Sequence, residues 1–261
     1  MIADSVSTYA QLVSLGMTPV AAAFPADISP DYAGGDLGRV ENIVAEDGWT
    51  LNVERALTLE PDLIVAVGAD YNRENCDRYR KATTTFCFEE IYETGTDADI
   101  KRTLAGIAVA VGREDEAADA IAAYDRRVAA VRKRMDAAGR SGAKVGLMRI
   151  DATGWMGIRT GDAGNAVLKA VGLLAPDWPK PNADGYVELS QKRLGLLDRA
   201  DDMLVNADDN VDVDKIEVLD TGLWKRLDVV RGDRVHLVSA WNGGDLPQLH
   251  RMLDDIEQTF L

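Results

Sequence analysis

One long helical pattern, from Asp115 to Ala138, constrains this chain more than any other stretch. Apolar side chains recur at Ala117, Ile121, Tyr124, Val128, Val131 and Met135. Steps of four and three place them all on one helical face. Asp119, Arg126, Arg127, Arg132, Lys133 and Asp136 occupy the opposite face. Acids crowd the start (Glu114, Asp115, Glu116) and bases the end, as the helix dipole prefers. Gly112 precedes the pattern, and Gly139 and Gly142 follow it. At about 1.5 Å per residue the helix spans roughly 35 Å, enough to cross a small domain. The flanks on its two sides resemble each other, so the helix is expected to join two similar halves.

The first half alternates strand and helix. Ser7 is a candidate N-cap for a helix that carries Leu12, Val13 and Leu15 and stops at Gly16. Pro19 to Ala23 reads as a short strand, and a loop rich in Pro, Asp and Gly runs from Phe24 to Gly48. Asn52 caps a helix through Leu59, and Leu63 to Val67 is a fully buried strand of the parallel type. Asn72 to Ala82 reads as helix, Thr83 to Phe88 as strand, and Thr96 caps a helix ending near Gly112.

The second half repeats the scheme, with strands at Lys144–Ile150, Met203–Val205 and Val235–Val238. Its helices are expected at Ala163–Val171, Ser190–Leu197 and Asp245–Phe260. Leu59 to Val65 and Leu197 to Val205 match, each a helix end, an acidic turn and a buried strand. The expected architecture is α/β: two lobes with mostly parallel central sheets, joined by one long rigid helix, with a ligand cleft between them. The lobes are placed at 1–112 and 141–261 and the linker helix at 113–140.

A net charge of −15 makes the chain a poor nucleic-acid binder, because nothing offsets phosphate repulsion. No apolar run reaches the length of a membrane span. Cys76 and Cys87 are compatible with one disulfide or with two buried thiols.

Catalytic patterns are absent from the sequence: there is no G-x-S-x-G, no P-loop and no strand-linked G-x-G-x-x-G. Gly139 to Lys144 lacks phosphate-loop spacing and reads as a helix exit. His236 in a strand and His250 on the last helix read as structural. No His/Cys/carboxylate cluster has metal-ligand spacing. Asp208, Asp209, Asp212 and Asp214 read as a solvated acidic loop.

Aromatics and arginines stand out instead. Trp49, Tyr71, Trp155, Arg159, Tyr186 and Trp241 fall at or beyond predicted strand ends, Arg149 ends a strand, and Tyr32 lies in the long loop. Ligands bind at that edge of parallel α/β sheets. Trp and Tyr offer broad rigid faces, and Arg a fork for charged oxygens.

With these residues in view, the sequence resembles the periplasmic (class III) binding proteins of iron-siderophore, haem and vitamin B12 importers. Leu12 to Val20 is similar to the family's "LG..PVG" opening, and Asn52 to Val65 to its "N.E.i..L.PDLIi" motif. Val187 to Val205 resembles "vS.e.L..l..aD.l.v", and Leu223 to Val235 resembles "W..l.avr.grV". The resemblance covers nearly the whole chain. It implies a solute-binding protein rather than an enzyme, one that closes little on its ligand.

The implied ligand is a ferric siderophore, with the hydroxamate type favoured. It implies no intrinsic cofactor and no metal ligands of the protein's own, because the iron arrives as a chelate. The implied partner is an ABC permease, met by Glu54 from the first lobe and by Glu188 from the second, where Lys192 stands near the usual position. A monomer is expected, outside the cell membrane or in the periplasm, associated with the membrane only through the permease or a missing lipid anchor. The family's signal or lipoprotein segment is absent and the first strand begins at Met1, read as a trimmed or mis-set start; an intracellular protein is the alternative. A haem or cobalamin binder, with Tyr71 or Met156 as axial ligand, and a two-lobed cytoplasmic enzyme are the rival readings.

Overall fold

The computed structural model describes residues 1–25, 37–68, 73–89, 96–151, 153–207, 216–238, 241 and 244–261. Tyr32, Tyr71, Asp208, Asp209, Asp212 and Asp214 lie outside the described residues. The chain divides into two compact units, Met1–Tyr124 with Gly243–Gln248, and Asp125–Asn242 with Leu249–Leu261.

In the first unit, strands β1 (Ile2–Ala3), β2 (Ala21–Ala22), β3 (Glu41–Asn42), β4 (Ile64–Gly68) and β5 (Thr85–Glu89) form a parallel sheet. Its order is β3-β2-β1-β4-β5. Helices α1 (Val6–Ser14), α2 (Val53–Thr58), α3 (Arg73–Ala82) and α4 (Asp97–Val111) cover it. Strand side chains alternate between faces, so Ile2, Ile64 and Ala66 pack in one cluster with Ala56 of α2 and Cys76 and Tyr79 of α3. Phe88 faces α4 so closely that a Cβ on Gly106 would lie 2.1 Å from its ring. That contact explains a glycine inside a helix that would otherwise favour alanine.

The helix punctuation is largely the expected one. Asn52 accepts from Arg55 N at 3.0 Å, Thr96 accepts from Ala98 N at 3.3 Å, and Gly112 closes α4 at φ 66°. The cap of α1 is a correction. It is Ser5, whose Oγ accepts from Thr8 N at 3.2 Å, not Ser7. Because β1 is only two residues long, the chain turns into the helix earlier. The strand expected at 19–23 shrinks to Ala21–Ala22. Cys76 of α3 and Cys87 of β5 are joined as a disulfide, with Cα atoms 6.1 Å apart.

α5 (Glu114–Ala137) begins in the first unit and continues in the second as an unbroken helix. Tyr124, Val131 and Met135 on its apolar face are fully buried, as the spacing predicted. The second unit's sheet has β6 (Val145–Ile150), β7 (Met156–Arg159), β8 (Tyr186–Glu188), β9 (Asp202–Ala207) and β10 (Val235–Val238) in the order β10-β9-β6-β7-β8. β10, β9 and β6 run parallel, whereas β7 and β8 are antiparallel additions that the sequence reading did not identify.

One face of this sheet, with Met148, Ile150, Met203 and Val205, is sealed by Leu194, Leu197, Trp224 and Val229. The segment expected as a helix from Ser190 is a 3₁₀ run, Gln191–Arg199. Ser190 makes no side-chain cap and Gly195 sits mid-run, so little favours an α-helix there.

α6 (Ala163–Ala170), α7 (Glu217–Asp220), α8 (Asp228–Arg231) and α9 (Leu246–Phe260) complete the unit. Arg127 of α5 donates to the His250 carbonyl at 3.2 Å and to Glu257 at 2.9 Å on α9. Burial and the Arg127 charge hold His250 below its ordinary pKa, so it serves as a neutral packing residue. His236 lies 3.1 Å from Asp202, which also accepts from Arg140 at 2.6 Å. Both histidines are thus engaged structurally.

Candidate ligand-binding site

In open α/β sheets, ligands gather at the carboxyl ends of strands where the strand order reverses. In the second unit the chain leaves β6 toward β7 and β8, then returns on the other side as β9 and β10. The reversal lies between β6 and β9. Their register pairs Arg149 with Asn206, and the row continues to Val238 on one side and to Gly157 and Glu188 on the other. Side chains in one such row share a face. Arg149 and Asn206 therefore point away from the cluster that holds Met148 and Ile150.

The turn after β6 is organised by Asp151. Its carboxylate accepts from Thr153 N (2.8 Å), Thr153 Oγ1 (2.6 Å) and Trp155 N (3.1 Å). Burial opposes its ionisation, but these donors and the nearby Arg149 charge outweigh it and hold its pKa below the ordinary value. Gly154 at φ 80° completes the turn, a conformation that favours glycine. Trp155 is thereby set at the mouth of β7. Its ring meets Tyr186 edge to face, with centroids 5.1 Å apart and planes at 75°. Both rings lie over Gly157, where a Cβ would come within 2.5 Å of Trp155 and 2.8 Å of Tyr186. Glycine at 157 is what lets the two rings lie against the strand beside Arg149.

Three of the sequence candidates, Arg149, Trp155 and Tyr186, thus converge, each half-buried. Arg159, on the same strand face as Trp155, is tied into the protein. It pairs with Asp162 at 2.6 Å and donates to the Trp241 carbonyl at 2.5 Å. Asp162 also caps α6, accepting from Asn165 N at 2.9 Å. Trp241 is fully enclosed, and its indole N–H donates to Asp255 at 2.6 Å. Met156 is 3% exposed within the apolar cluster on the other face, which removes it as an axial ligand for haem. Glu188 is exposed on β8 and accepts from Asn182 at 3.3 Å.

In the first unit the order reverses between β1 and β4. Asp4, just after β1, is 6% exposed and accepts from Thr8 Oγ1 at 2.6 Å. Burial raises its pKa from 3.8 to about 6, with hydrogen bonds from Thr8, Val67 N–H and Ser5 opposing the shift. Sequence reading missed Asp4 and Asn206; a polar residue directly ending a buried strand was the available signal. Trp49 is 75% exposed on a turn held by Asp47, which accepts from Trp49 N and Thr50 N at 2.9 Å each. Glu54 is exposed in the first turn of α2.

The buried charge of Asp4 makes a prediction. The unfolded chain loses this proton near pH 3.8, the folded protein near pH 6. Between those values the folded state holds more protons, so stability from this group falls as pH rises through the window and stays low above it. Asp4→Asn is expected to stabilise the protein by about 3 kcal/mol at pH 7.5, the gain vanishing below pH 4. Urea midpoints across that range check it; a gain independent of pH would assign the effect to packing.

A separate cavity of about 310 Å³ in the second unit is lined by Ile150, Val205, Leu219, Trp224 and Leu237, with Asp220 as its one charged group. None of the converging candidates lines it. Among the described residues, no group of three or more His, Cys, Asp or Glu is placed to hold a metal ion. No helix among them is long and apolar enough to cross a membrane.

A family model described as "Periplasmic binding protein" matches residues 7–177. The chain belongs to this family. It is a family of substrate-binding proteins, not of enzymes. Solved structures match over nearly the full chain. Staphylococcus aureus SirA shares 24% identity at a TM-score of 0.77, with 99% of this chain and 97% of that one covered. Vibrio cholerae FhuD, a siderophore binding protein bound to Fe3+–Desferal, shares 18% at a TM-score of 0.82, covering 99% and 97%. Bacillus subtilis FeuA, a triscatecholate siderophore binding protein in complex with ferri-bacillibactin, shares 22% at 0.75, covering 99% and 91%. No curated protein compared with the sequence matches it. The two-lobed α/β fold with its long helix is therefore the fold of these solved structures.

Proposed function

We propose that this protein is the solute-binding component of an ABC importer and carries a ferric siderophore, with hydroxamate chelates favoured. The observation behind this reading is the register of Arg149 with Gly157, the glycine over which the Trp155 and Tyr186 rings lie, at the second unit's order reversal. A guanidinium fork suits the charged oxygens around a chelated iron, and the rings suit the apolar arms of the chelator. Trp49, Tyr32, Tyr71 and Arg159 are proposed as further contributors, with the fully enclosed Trp241 supporting Arg159 through its carbonyl. Glu54 and Glu188 are proposed to meet the permease, and both are exposed carboxylates. The Cys76–Cys87 disulfide supports a site of action outside the reducing cytosol.

The test is a tryptophan-fluorescence titration with Fe3+–Desferal, ferri-bacillibactin, ferric citrate, haem and cobalamin. Saturable quenching is expected with a ferric siderophore, because Trp155 stands beside the proposed binding group and a coloured chelate accepts its excitation. Quenching by haem or cobalamin alone would overturn the siderophore reading. Arg149→Ala is expected to weaken chelate binding by roughly 10- to 150-fold, about 1.5–3 kcal/mol, with an unchanged melting temperature. Equal affinity in the variant would remove Arg149 from the site.

A further inference from the structure

Asn206 is fully buried at the carboxyl end of β9. Its amide nitrogen donates to the Ala207 carbonyl at 3.2 Å, and its Oδ1 is buried with no hydrogen-bond partner among the described residues. A buried acceptor left in this way is costly, and its presence calls for a reason. Its neighbours narrow the donors available. On one side its register partner is Val238, which carries no side-chain donor. Two residues back along the same face stands Leu204, equally without one. On the other side its register partner is Arg149, whose guanidinium carries five N–H donors. Both sit beside the order reversal of the sheet, on the face opposite the apolar cluster.

We propose that Asn206 is a positioning residue for Arg149: its Oδ1 takes one guanidinium N–H when Arg149 turns its remaining donors onto a bound anionic chelate. This rests on the reading of Arg149 as a chelate-binding residue. Its full burial makes Asn206 a support for the arginine rather than a ligand contact of its own. The arrangement has a chemical consequence. A fork held at its base presents two parallel donors in a fixed plane, which selects ligands with paired, negatively charged oxygens over those with one. Hydroxamate and catecholate chelates both offer such pairs.

A double-mutant cycle with Fe3+–Desferal and ferri-bacillibactin as probes tests this, using wild-type protein, Asn206→Leu, Arg149→Ala and the double variant. Asn206→Leu is expected to weaken binding of the chelate that the wild type takes by about 10-fold, equivalent to 1.4 kcal/mol. It should do so with little change in melting temperature, since it exchanges a buried unpaired oxygen and one local bond to Ala207 for an apolar group of similar size. In the Arg149→Ala background the same substitution should change nothing. Losses that add in the double variant would overturn the proposal, since Asn206 would then act independently of Arg149. Unchanged affinity in either single variant would overturn it as well. Asn206→Ala provides the same comparison if the leucine variant does not fold. Failure of the wild type to bind either chelate would instead remove the siderophore reading, and this proposal with it.

Discussion

Val128→Pro is expected to cost the protein at least about 3 kcal/mol. The position is in the interior of α5, a 24-residue helix. Proline there lacks the N–H that an α-helix directs to the carbonyl four residues back, and its ring collides with that carbonyl. The carbonyl belongs to Tyr124, whose side chain is fully buried. A kink would also displace Val131 and Met135, which are 1% and 0% exposed one and two turns further on. Packed apolar side chains do not follow such a displacement without opening voids. Thermal and urea unfolding followed by circular dichroism provides the measurement. Val128→Ala keeps the helix and serves as the control, with a far smaller loss. A proline variant that melts like the alanine variant would show that α5 can break without consequence.

Loss of the Cys76–Cys87 disulfide is expected to be nearly as severe. The bond closes a loop of sequence separation 11 between α3 and β5. Constraining such a loop in the unfolded chain is worth about 3 kcal/mol in the chain-entropy account. Cys76 packs with Ala56, Tyr79 and Ala66, so alanine rather than serine is the replacement that avoids burying an unpaired hydroxyl. The double variant Cys76→Ala/Cys87→Ala and wild-type protein under dithiothreitol should lose the same stability. Adding reductant to the double variant should do nothing further. A wild-type unfolding midpoint that ignores reductant would show that the bond contributes nothing.

Much of the fold was legible because its signals are local and repeated. The α5 pattern sustains one face over six apolar positions, and Asn52, Thr96 and Gly112 punctuate their helices by chemistry that needs no tertiary context. β7 and β8 were not legible. Each is four residues or fewer, and what makes them strands is antiparallel pairing, β7 with β6 across the Asp151 turn and β8 with β7 after an excursion through α6. That pairing is a tertiary fact. The same holds for the candidate site. Sequence reading selected Arg149, Trp155 and Tyr186 by residue type and place near a strand end. It could not separate them from Arg159 and Trp241, which the structure engages with Asp162 and Asp255. It also passed over Asn206, because an asparagine after Met203, Leu204 and Val205 reads as the end of a strand.

Along β6, Met148 and Ile150 belong to the apolar cluster while Arg149 between them faces the other way. Near the carboxyl end of this strand, neighbouring positions therefore meet different surroundings. A change at 148 or 150 is tested by whether the chain folds. On the proposed reading, a change at 149, or at Trp155, Tyr186 and Asn206 around it, would instead alter which chelate is carried. On that reading a few side chains at this edge set the ligand, while the apolar cluster behind them sets foldability.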